Sequence, residues 1–137
     1  MPGRHLADAG AAVCNEVAAA IGLAGPYDFL PLKEDRYRQV FPAATQPASQ
    51  PIAFADGRDP PVLLLTGDAD EKVDPGNSAR LAAKIRSAGG AVQMKTYEGI
   101  SHTGLVGALA KPFRSRASVL DDIDAFIRMH SDGPPYC

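Results

Sequence analysis

The chain has no excess charge of either sign, no long apolar run and almost no cysteine. Lys and Arg number 14 against 16 Asp and Glu, a formal net charge of −2. A balance this even leaves no electrostatic footprint for nucleic acid or for an anionic membrane. The longest apolar runs, such as Pro60 to Leu65, fall far short of the ~20 residues that span a bilayer. Met1 to His5 (MPGRH) leads into no apolar core of the export type, so the expected location is cytoplasmic. The two cysteines, Cys14 and Cys137, form no C-x-x-C pair and sit near no metal-type histidine spacing. Two inert thiols are therefore expected in preference to structural zinc or a Cys14–Cys137 disulfide, and no metal or cofactor is called for. There is no internal repeat. The 137 residues leave room for one domain with one modest core, and 45% hydrophobic against 22% charged residues excludes compositional disorder.

What is present is punctuation. Seven of the 12 prolines fall between Pro26 and Pro61, marking that span as loop-dominated. Three short apolar runs surround it. Val17 to Leu23 (VAAAIGL) is a weak strand, because alanine favours helix. Val62 to Thr66 follows Pro60-Pro61 and stops at Gly67, as a buried strand should. Ala91 to Tyr97 follows Gly89-Gly90 and partly alternates. Between the last two runs, Asp74 is placed to cap a helix with Pro75 at its first position. Leu81, Ala82, Ile85 and Ala88 share one face of it, and Gly89 ends it. Ser118 to Asp121 resembles a capping box and opens a second helix to about Met129, with Leu120, Ile123, Phe126 and Ile127 as its apolar stripe. This order predicts an α/β fold, a parallel sheet with flanking helices. Three strands are few for such a sheet, and an apolar edge at Val17–Leu23 is left for self-association or a partner chain.

In open α/β sheets the working groups gather in loops at the C-terminal strand ends. After the second strand comes Gly67-Asp68-Ala69-Asp70-Glu71-Lys72-Val73-Asp74-Pro75, and after the third comes Glu98-Gly99-Ile100-Ser101-His102-Thr103. A histidine acting as general base needs its other ring nitrogen held by a carboxylate, and neighbouring strand ends can supply that pairing. Each group also has a plainer explanation. Acidic residues favour any helix N-terminus, which accounts for Asp74 but not for Asp70, four positions ahead of the cap. A lone histidine such as His102 is usually a solvated loop residue.

Together these loops resemble the C-terminal half of an α/β-hydrolase. Gly67 to Pro75 looks like the acid turn of that family, Gly-x-x-Asp-x-x-Val ahead of a helix. Tyr97 to His102 looks like its histidine turn, and Gly25-Pro26-Tyr27-Asp28 is similar to a segment of small carboxylesterases and arylformamidase-like members. The resemblance runs from about residue 15 to 130. It implies that Asp70 is the triad acid and His102 the base, that Val73 and Thr103 beside them line the substrate pocket, and that Tyr27 and Phe29 open a lid loop. It also implies hydrolysis of a small-molecule carboxylic ester without a cofactor.

The family order places a serine in a Gly-x-Ser-x-Gly elbow ahead of the acid, and no such elbow occurs. Ser49 lies in a proline-rich loop, Ser87 follows Asp70 and ends a helix, and Cys14 lacks flanking glycines and precedes a strand. The nucleophile is therefore expected to be absent from the chain and the chain alone to be inactive, with residues 1–15 the remnant of an upstream helix and loop and residues 131–137 a loose tail. Three alternatives stand beside this reading: an arylformamidase-type amide hydrolase, a non-catalytic remnant or partner-binding half domain, and a receiver-like signalling domain built on Thr66 and Lys111.

Overall fold

A computed structural model describes residues 16–131. Cys14, Cys137, the N-terminal remnant and nearly all of the expected tail lie outside them. The described residues form a three-stranded parallel sheet in the order β1 (Ala20–Leu23), β2 (Val62–Gly67), β3 (Val92–Tyr97). The central strand carries the core. Leu63 and Leu65 face one side, where they meet Tyr97, Leu105, Val119 and Phe126; Leu64 faces the other, against Leu81, Ala82 and Ile85. Burial on both faces is why β2 reads as an unbroken apolar run instead of an alternation.

The first strand is shorter than the Val17–Leu23 run. Ala20 donates to the Pro61 carbonyl at 2.9 Å and pairs with Val62. Extending the ladder backwards would require an N–H from residue 61, and proline has none. At the other end Ala24 turns the chain away at φ 45°, with its N–H on the Leu65 carbonyl at 2.8 Å.

The loop-dominated span holds a short helix, α1 (Asp35–Val40), and two 3₁₀ turns, Pro47–Ser49 and Pro51–Phe54. Buried amides fix its start. Asn77 Oδ1 accepts the Asp28 N–H and Gln50 Oε1 accepts the Phe29 N–H, each at 2.7 Å. Arg80 adds its guanidinium to the Asp28 carboxylate and main-chain carbonyl and reaches Asp74. These ties dock the span beside α2 (Gly76–Ser87).

That helix begins one residue later than the Asp74–Pro75 reading placed it, although the Asp74 carboxylate does accept the Gly76 N–H at 2.9 Å. It ends where glycine was expected to end it. Gly89, at φ 84°, donates to the Arg86 carbonyl, and Gly90 to that of Ile85, the paired bonds of a Schellman stop.

The opposite face is covered by α3 (His102–Gly107), a 3₁₀ turn at Lys111–Arg116 and α4 (Val119–His130). Two expectations for α4 need correction. Ser118 makes no capping box, because its hydroxyl donates to the Asp122 side chain at 2.9 Å instead of receiving a backbone N–H. Of the expected stripe, Ile123 and Phe126 do face inward, joined by Val119, whereas Leu120 is outside that core cluster and Ile127 is 48% exposed. Asp122 fixes this rotation. Its Oδ2 accepts from Lys95 Nζ and the Tyr97 hydroxyl, both at 2.6 Å, as well as from Ser118. Burial and the adjacent Asp122 carboxylate push the Tyr97 phenol up, well above its ordinary pKa. No described helix is long and apolar enough to cross a membrane.

Candidate active site

The acid turn leaves β2 at Gly67 and the histidine turn leaves β3 at Tyr97, opposite one another in register. Asp70 therefore emerges beside the loop that carries His102. Its side chain is 0% exposed, and one oxygen, Oδ2, lies 2.8 Å from Nδ1 of His102. The other, Oδ1, accepts the N–H groups of Lys72 and Val73 at 2.9 Å each. Burial pushes the Asp70 carboxyl up, but the Val73 N–H, the His102 imidazole and the Lys72 N–H outweigh it and hold it below the usual carboxylate range. Asp70 is thus ionised and can only accept, so Nδ1 of His102 carries the proton and donates. In the neutral ring Nε2 is then the acceptor, on a side chain that is 30% exposed.

His102 is held from the other direction by α3, of which it is the first residue. Ser101 caps that helix through the Gly104 N–H at 3.2 Å, and the fully buried Leu105 anchors it to the core. A carboxylate–imidazole pair of this kind can orient a base and stabilise it once protonated. It needs a third group to do chemistry. Ser87 spends its hydroxyl on the Lys84 carbonyl and Ser49 on that of Gln46.

An open cleft of about 500 Å³ lies between the acid turn and the span around α1, with Val73, Lys72, Phe29, Tyr37 and Phe41 among its walls. Thr103 is exposed outside it, 3.5 Å from the Ser101 hydroxyl. Phe29 faces this cleft and packs on Phe41, whereas Tyr27 packs against the Leu64 side of the core. No group of three metal-binding side chains occurs among the described residues. Two features of the site differ in how far local sequence signals them. The Asp70, Lys72, Val73 spacing is a turn signal that was available locally. Arg80 and Asp28, 52 positions apart, carry none.

The ionisation of Asp70 makes the pair acid-sensitive in a defined direction. Its pKa is depressed on folding, so its contribution is present above the unfolded value of about 3.9 and is lost as pH falls through the folded value. Asp70→Asn removes that titration. Thermal melts should show wild type above the variant from pH 5 upward, with the gap closing below about pH 4; a gap independent of pH would contradict the assignment.

A parallel sheet with helices on both faces, and a carboxylate and a histidine on successive strand-end turns, define the C-terminal part of an α/β-hydrolase fold. More narrowly, the chain belongs to the prolyl oligopeptidase family, which matches residues 26–133. Among solved structures it is similar to a truncated form of a carbohydrate esterase from gut microbiota, with a TM-score of 0.70 and 23% identity over 85% of this chain and 44% of that one. It is also similar to the apo form of esterase 2 from the planctomycete Thermogutta terrifontis, with a TM-score of 0.63 and 22% identity over 82% of this chain and 42% of that one. The same esterase phosphonylated by sarin matches at 0.62 and 20% identity, over 80% of this chain and 43% of that one. The chain thus spans less than half the length of these structures. No curated protein matches it. The receiver-like alternative falls with the family match, and Thr66, its switch residue, is 1% exposed.

Proposed function

We propose that this chain supplies the acid and the base of a serine-dependent carboxylic-ester hydrolase, the serine coming from residues outside the sequence. The 2.8 Å contact between His102 Nδ1 and the buried Asp70 carboxylate carries the reading. In the assembled site Nε2 of His102 takes the serine proton as Oγ attacks the ester carbonyl. The imidazolium, steadied by Asp70, then protonates the departing alcohol. Water attacks the acyl-serine with His102 again as base, and the carboxylic acid and free serine result. Val73 lines the cleft in which part of the ester sits, and these 137 residues by themselves hydrolyse nothing. β1, at the edge of the described sheet, is where the serine-bearing segment adds as a strand. Addition parallel to β1 brings its C-terminal end to the side of the sheet that holds Asp70 and His102.

The family match favours a second reading, hydrolysis of an amide by the same pair. Both are tested by treating the product of this gene, taken from its own cells, with a fluorophosphonate and reading intact mass. Organophosphorus reagents modify the related Thermogutta esterase. A labelled species well above 14.4 kDa supports a serine hydrolase, and its rates on aryl esters against N-formyl aromatic amines separate ester from amide. A labelled product at 14.4 kDa would overturn the placement of the serine outside the sequence.

A further inference from the structure

We infer that Asp68 is a positioning residue for the Asp70–His102 pair, acting as a second rung that holds the histidine turn against the acid turn. The inference rests on the role proposed for that pair, although its geometry is independent of it. Asp68 follows Gly67 at the end of β2. Its N–H donates to the Tyr97 carbonyl at 3.1 Å, which continues the sheet one step beyond the last register pair. Its carboxylate oxygen Oδ1 then accepts the N–H of Gly99 at 2.7 Å, across 31 positions of sequence. Gly99 sits at φ 66°, the tight corner of the histidine turn, and only Ile100 and Ser101 separate it from His102.

Beyond that main-chain bond, side chains join the two turns twice, at 68–99 and at 70–102, with one residue between the rungs on the acid side and two on the histidine side. The space between them is closed as well, since a Cβ on Gly67 would stand 1.9 Å from the Ile100 carbonyl oxygen. With both rungs in place, the imidazole has little freedom to turn away from Asp70. Asp68 itself is exposed, and Gly99 is the one partner of its side chain among the described residues. Its position is explained by the rung and by no packing role. A short acceptor is what the rung requires; charge is not, so asparagine should serve and alanine should not.

The test uses this chain as it stands and needs no nucleophile or ester. The ¹⁵N shifts of the His102 ring report the ratio of its two neutral tautomers, which a change in global stability does not move. In wild type the Nδ1–H form is expected to dominate. Asp68→Ala should lower the ratio by about tenfold, the effect of losing one well-formed hydrogen bond, while Asp68→Asn keeps it near wild type. Asp124→Ala, which removes an exposed ion pair to Arg128 on α4, is the control and should leave the ratio unchanged. If Asp68→Ala does not fold, Asp68→Ser takes its place, with the same loss expected from its shorter reach. An unchanged ratio in the alanine or serine variant would overturn the inference, as would an asparagine variant that behaves like alanine. None of these results bears on ester hydrolysis, so the positioning role and the proposed function can fail separately.

Discussion

In a polypeptide that supplies the serine, His102→Ala is expected to lower ester hydrolysis by about a million-fold and Asp70→Ala by about ten-thousand-fold. The asymmetry follows from the roles proposed for the two residues. His102 moves the proton at Nε2, so its loss removes base and acid together. Asp70 moves nothing; it fixes the Nδ1–H tautomer through the 2.8 Å contact and stabilises the imidazolium. The loss should fall mainly in kcat, because neither group needs to bind the ground-state ester. One polypeptide for this test is the Thermogutta esterase with its matched portion replaced by residues 16–131. The longer product of this gene, if labelling finds one, is another. Comparable rates for wild type and His102→Ala would remove the pair from the mechanism. A deeper loss from Asp70→Ala than from His102→Ala would reverse the roles of acid and base. The two changes together should cost no more than His102→Ala alone, since the pair acts as a unit.

The second large effect is expected from Gly67→Ala. The obstacle is space: the added methyl would meet the Ile100 carbonyl oxygen at 1.9 Å and its carbon at 2.7 Å. Both are main-chain atoms, so no rotamer change relieves the contact, and one turn must move off the other. Forced overpacking of this kind costs about 3 kcal/mol, a fall in melting temperature of roughly 10 °C for a domain of this size. The displacement acts at Ile100, two residues before His102, so the Nδ1–H tautomer should be lost along with stability. A second glycine provides the contrast. At Gly99 a Cβ would meet nothing within 4 Å, but φ is 66°. Gly99→Ala should cost only the ~1–2 kcal/mol of a left-handed L-residue. If Gly67→Ala melts with wild type and keeps the tautomer, the two turns are not in the contact described.

The parts of this arrangement that are legible in the sequence are those written locally. Pro60-Pro61 and Gly67 bracket β2, Gly89-Gly90 closes α2 with its two carbonyl bonds, and the chain order of strands puts Asp70 and His102 on adjacent loops. Where a local signal is weak, the bounds slip. The alanines ahead of β1 supply no side chain that prefers a strand, and its start is set by a missing N–H on Pro61, beside another strand. For α4, a helical period allows two neighbouring stripes. The choice between them is made by Asp122, bonded to Lys95 and Tyr97 across 27 and 25 positions. The Asp68 rung and the Arg80 tie to Asp28 are of the same kind. Each is a bond between residues distant in sequence, and nothing in the local pattern at either end announces it.

The carboxylate and the rung beneath it follow the first strand of one strand–helix–strand unit, and the imidazole follows the second at the start of α3, with a single sequential crossover between them. On the proposed reading, the acid–base half of the machinery is a portable cassette. Its alignment is settled by one pairing of neighbouring strands and by the anchoring of α3, all within the described residues. Recombination could join such a cassette to different upstream partners, provided each presents a hydroxyl within reach of Nε2 and the donors that stabilise the developing oxyanion.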